Sequence, residues 1–74
     1  MEDGMLAAEG LASRIKEARY SVGLTRSEFA QILGVTINTL STWESGQVTP
    51  HIGRLADIAK ASGFPLEWVR KGTT

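Results

Sequence analysis

The sequence contains no cysteine. Disulfides, thiolate metal sites and cysteine nucleophiles are therefore excluded, and a reducing cytoplasm is the expected setting. A single histidine, His51, follows a proline and has no second ligand at a metal-binding spacing, so no metal site is expected around it. No apolar run approaches the roughly 18 residues of a membrane span. The acidic start, with Glu2 and Asp3, lacks the basic segment of a signal peptide. No stretch alternates with period two for long enough to form a strand. Neither sign of charge dominates, with eight Lys or Arg against eight Asp or Glu. From Gly10 onward the balance is eight to five, a mild basic bias that does not by itself establish a nucleic-acid partner. A chain of 74 residues has little room for a closed pocket, so an enzyme, a cofactor and a small-molecule ligand are not expected.

What remains is helical periodicity in a chain long enough for one domain with a small stability margin. Residues 1–8 are expected to form a disordered tail and 9–74 a single domain. The first helix is predicted from about Glu9 to Ser21, with Leu11, Ile15 and Ala18 inward, Lys16 and Arg19 on a solvated face, and Gly23 as its stop. Thr25 and Glu28 have the spacing of a capping box and open a second helix. That helix points Phe29 and Leu33 inward and ends at Gly34. Thr36 caps a third helix, anchored by Leu40 and Trp43 and ended by Gly46. Thr49 and Pro50 read as the cap and first position of a fourth helix, with Ile52, Leu55, Ile58 and Ala59 inward and a stop near Gly63. A short fifth helix begins around Pro65, with no capping side chain, and presents Leu66, Trp68 and Val69. The expected fold class is all-α, with five helices.

Two helices joined by a short glycine-containing turn form a helix-turn-helix. Ala30, one turn before Gly34, is small enough for close packing of the second helix on the third. With Leu40 and Trp43 turned inward, the opposite flank of the third helix carries Thr36, Ile37, Asn38, Ser41 and Thr42. Short polar side chains on such a flank suit the DNA major groove. Asn38 matches an adenine edge bidentately, threonine hydroxyls donate or accept, and Ile37 suits a thymine methyl.

The stretch LTRSEFAQILGVTINTLSTWESGQVTP resembles the helix-turn-helix of the phage repressor and Cro family, also called XRE. The matching residues are Leu24, Glu28, Ala30, Leu33, Gly34, Val35, Thr39, Ser41, Trp43, Glu44, Gly46 and Pro50. The likeness extends from about Leu11 to Gly72 and implies the five-helix lambda-repressor-like fold. It also implies a DNA-binding transcriptional regulator that reads bases with Thr36, Ile37, Asn38 and Thr42. Phosphate contacts are expected at Arg26, Ser45, Gln47 and Arg54, and a partly buried ion pair between Arg14 and Glu44. Two departures stand out. Arg26 replaces the usual glutamine, and no Lys or Arg lies between Arg26 and Arg54, so the third helix has no guanidinium for a guanine.

The expected function is a small regulator, a repressor, that binds a palindromic operator in double-stranded DNA as a homodimer, without a membrane or small-molecule partner. The apolar side chains of FPLEWVRK place the dimer contact at Leu66, Trp68 and Val69. The alternative is an antitoxin-like or adaptor module on the same fold that does not read DNA, which the zero net charge and the uncharged reading flank favour.

Overall fold

The computed structural model describes residues 10–72, and the expected tail at 1–8 lies outside them. Among the described residues the chain forms five helices and no strand: α1 Leu11–Ser21, α2 Arg26–Leu33, α3 Ile37–Ser45, α4 Ile52–Ser62 and α5 Leu66–Lys71. The all-α, five-helix expectation therefore holds. α1 starts later than expected, at Leu11, after an extended Gly10 that offers no capping side chain.

The turn chemistry explains the middle of the chain. The Thr25 hydroxyl accepts from the Glu28 amide at 3.1 Å, and the Glu28 carboxylate accepts from the Thr25 amide at 2.9 Å. Each bond satisfies an amide that the first helical turn leaves open. α2 ends at Gly34, whose φ of +75° is a left-handed conformation that side chains resist. A Cβ added there would meet nothing within 4 Å, so the need for glycine is conformational and not steric. Two residues later the Thr36 hydroxyl accepts from the Thr39 amide at 3.1 Å and opens α3. Only residues 34–36 separate the two helices, which is the predicted helix-turn-helix.

α3 packs against both α1 and α2, and α4 against α1, α2 and α5. The core gathers Ile15 and Ala18 from α1, Phe29, Ala30 and Leu33 from α2, Leu40 and Trp43 from α3, Leu55, Ile58 and Ala59 from α4, and Val69 from α5. The last helix has no side-chain cap. Stacking of Phe64 on Trp68, with ring centroids 4.2 Å apart, ties it to the preceding connection.

Four expectations need correction. The cap of α4 is His51, not Thr49. Its Nδ1 accepts from the Gly53 amide at 3.1 Å, and the buried Pro50 stays in the connection. Ile52 does not face inward but is 54% exposed. It occupies the first helical position, where Cβ tilts toward the N-terminus and carries the side chain past the end of the helix. Arg19 is not on a solvated face. It shares the buried stripe of α1 with Arg14, Ile15 and Ala18. Val69 cannot serve a dimer contact, because it is fully enclosed by the core.

Candidate nucleic-acid interface

Leu40 and Trp43 fix the inner side of α3, with exposures of 0% and 5%. Thr36, Ile37 and Asn38 are exposed on its opposite flank, and Ser41 and Thr42 are half-buried. The Asn38 side-chain amide is exposed and makes no hydrogen bond among the described residues. Ile37 stands 48% exposed beside it. Thr36 is partly committed, since its hydroxyl caps α3 and donates to the Thr39 hydroxyl at 3.0 Å. Thr42 is more committed, since its hydroxyl donates back to the Thr39 carbonyl at 2.6 Å. Ser45 and Gln47 are exposed at the end of the helix. The Ser45 hydroxyl donates to the Thr42 carbonyl at 3.2 Å, and the Gln47 amide nitrogen of the backbone closes the turn onto the same carbonyl at 3.0 Å.

The ion pair lies elsewhere than expected. Glu44 is 4% exposed in the last turn of α3, where the helix dipole disfavours a carboxylate. Arg19, not Arg14, holds it. Arg19 Nε donates to Glu44 Oε2 at 2.8 Å and Nη2 to Oε1 at 3.0 Å, a bidentate pair. Arg19 Nη1 donates to the Leu24 carbonyl at 3.0 Å, and its guanidinium carbon lies 4.8 Å from the centre of the Tyr20 ring. The Glu44 hydrogen bond holds the Arg19 guanidinium more basic than usual, outweighing the desolvation that opposes it. Arg14 turns instead to the far end of the fold. Its Nε and Nη2 donate to the carbonyls of Val69 and Arg70 at 3.1 and 3.0 Å, in the last turn of α5. The negative end of the helix dipole favours a cation there. Burial lowers the basicity of Arg14. Gly72 has a φ of +80°, a left-handed conformation that side chains resist, and a Cβ there would lie 3.2 Å from Arg14 Nη1, so that the guanidinium would have to shift by a few tenths of an ångström.

Arg26, the first residue of α2, donates from Nε to Glu44 Oε1 at 3.1 Å, and its side chain remains 46% exposed. This contact was not legible in the sequence, which pointed only to a phosphate role. Arg54 is less available than expected. Its Nη1 donates to the Leu33 carbonyl at 3.0 Å and to Asp57 at 3.4 Å, clamping the end of α2 to α4.

A buried inner flank, an exposed outer flank and a three-residue turn define the class: a helix-turn-helix domain of the phage repressor type. A profile described as helix-turn-helix matches residues 15–69, and the chain belongs to that family, in its XRE form. An uncharacterized HTH-type transcriptional regulator of Haemophilus influenzae is 39% identical over 46 residues, 62% of this chain and 19% of that protein. The HTH-type transcriptional regulator PuuR of Escherichia coli is 35% identical over 63 residues, 82% of this chain and 34% of that protein. The chain thus spans about a fifth to a third of the length of these curated relatives. The solution structure of the DNA-binding domain of the P22 C2 repressor superposes with a TM-score of 0.80, covering 88% of this chain and 86% of that one. At 22% identity that likeness speaks for the fold alone. Among the described residues, no helix is long and apolar enough to cross a membrane.

Proposed function

We propose that the chain is a sequence-specific, double-stranded-DNA-binding domain of a bacterial transcriptional regulator, a repressor acting in the cytoplasm, that inserts α3 into the major groove. The observation that carries this reading is the outer flank of α3, exposed at Thr36, Ile37 and Asn38 while Leu40 and Trp43 hold the other side in the core. A groove about 12 Å wide accepts such a helix. Asn38 reads an adenine edge, Ile37 packs on a thymine methyl, and Thr36 and Thr42 add shorter contacts. Without a guanidinium on the flank, readout favours positions containing A·T.

Phosphate contacts set the register. The amides of Arg26 and Ser27 at the start of α2, and of Ile37 and Asn38 at the start of α3, have no partner among the described residues. Arg26, Ser45 and Gln47 surround them, with Arg54 in a secondary role. A single recognition helix covers few base pairs, so useful specificity calls for a homodimer on a palindromic operator, with half-sites about one helical turn apart. The half-buried Leu66 and Trp68 are the dimer contact that remains once Val69 is assigned to the core.

The experiment is selection of bound duplexes from a random pool, followed by titration of the Asn38→Ala variant on the selected duplex. A loss of about tenfold or more is expected, the worth of one bidentate base contact. Retained affinity would place the reading surface elsewhere. Failure to enrich any duplex would return the chain to the protein-interaction reading.

A further inference from the structure

Glu44 is the buried carboxylate of the described residues, and it faces two guanidinium groups in unlike surroundings. Arg19 is spent: all three of its nitrogens are engaged, and its side chain is 9% exposed. Arg26 touches Glu44 through Nε alone, at 3.1 Å, and neither of its Nη nitrogens has a partner among the described residues. The three groups together carry one positive charge, and the exposed side of the cluster is Arg26. A guanidinium is planar, so holding its Nε edge also fixes the direction of the opposite edge, which bears two parallel N–H donors.

We infer that Glu44 is a positioning residue for the phosphate contact: it grips Arg26 by one edge so that the opposite edge meets the two oxygens of a DNA phosphate. Arg19 has a part in this, because by neutralising Glu44 it leaves the charge of Arg26 uncancelled. Binding therefore does not require the Arg26–Glu44 bond to break. The inference rests on the DNA-binding reading and adds to it a demand for a fork where a point charge would not serve. A lysine at position 26 keeps the charge, but its single nitrogen, drawn to Glu44, has no second, opposite edge to offer a phosphate.

The test is titration of a fluorescently labelled random-sequence duplex with the full chain, its Arg26→Lys and Arg26→Ala variants and Glu44→Gln, over a series of salt concentrations. Both Arg26 variants are expected to bind about tenfold more weakly, the worth of one charge-assisted contact. The slope of log affinity against log salt is expected to fall by about 0.9 in each, one phosphate's share. Their melting temperatures stay near wild type, since Arg26 is half exposed, so the loss is not one of folding. Glu44→Gln reproduces the weakening, and Arg26→Ala adds nothing further in its background. If Glu44→Gln does not fold, the lysine and alanine variants decide alone. An Arg26→Lys variant that binds within about twofold of wild type with an unchanged salt slope overturns the positioning role and leaves the DNA reading standing. A wild-type chain that binds no duplex overturns both, and is told apart by the absence of any binding to compare.

Discussion

Replacing Glu44 by alanine should be among the most damaging single changes in this chain. The carboxylate accepts three hydrogen bonds, two from Arg19 and one from Arg26, and its side chain is 1% exposed. Its removal leaves Arg19, with a side chain 9% exposed, as a charge without a counter-ion inside the fold. Breaking a buried pair in this way costs about 3–5 kcal/mol, although the intact pair contributes much less than that, because both ions were desolvated to form it. A domain of this size has roughly 4–11 kcal/mol of stability in total, and each kcal/mol corresponds to about 4–8 °C of melting temperature. The Glu44→Ala variant should therefore melt on the order of 15–30 °C lower. Glu17→Ala, on the exposed side of α1, should stay within about 0.5 kcal/mol of wild type. Thermal unfolding followed by circular dichroism measures both. The double variant Arg19→Met, Glu44→Leu separates the uncompensated charge from the worth of the pair, and should recover most of the loss. Equal melting shifts for Glu44→Ala and Glu17→Ala would falsify this reasoning, and so would a double variant no more stable than Glu44→Ala.

Gly34→Ala should lower stability by about 1 kcal/mol, the left-handed penalty being partly offset by a less flexible unfolded chain; an unchanged denaturant midpoint would contradict the conformational account of the turn. Val69→Ala should cost about 2 kcal/mol for the lost methyl groups and the cavity. Its melting shift should be the same at every protein concentration, and a shift that grows on dilution would put Val69 in a dimer contact after all. Thr36→Ala should cost about 1 kcal/mol through the lost cap, whereas Thr36→Ser keeps the accepting oxygen and should melt near wild type.

The parts of the fold that the sequence disclosed are those governed by neighbours along the chain. Thr25 and Glu28, Thr36 and Gly34 act within one turn of themselves, and their bonds form where the spacing places them. The inward faces of α2 and α3 follow from helical period alone. What the sequence does not disclose depends on packing between distant segments. Arg14 and Arg19 lie on one stripe of α1, and nothing local says which meets Glu44 on α3 and which the end of α5, 55 residues away. Val69 is apolar and late in the chain, which fits a dimer contact as well as a core. Only the docking of α5 on α1 and α4 decides between them. For α4, Thr49 and Pro50 gave a local signal as good as any, but the chain opens the helix from His51. The reading flank was legible in its residues but not in its internal bonds. The return of the Thr42 hydroxyl to its own helix shifts the expected readout toward Asn38 and Ile37.

The central claim is that the outer flank of α3 meets duplex DNA while its inner flank stays in the core. Titration of the isotope-labelled chain with the selected duplex, followed through its backbone amide resonances, tests it most directly. The predicted shifts concentrate at Thr25–Ser27 and from Thr36 to Val48, with Ile58 and Val69 little changed. Shifts centred instead on the groove lined by Ile32, Asp57 and Lys60 would contradict the account.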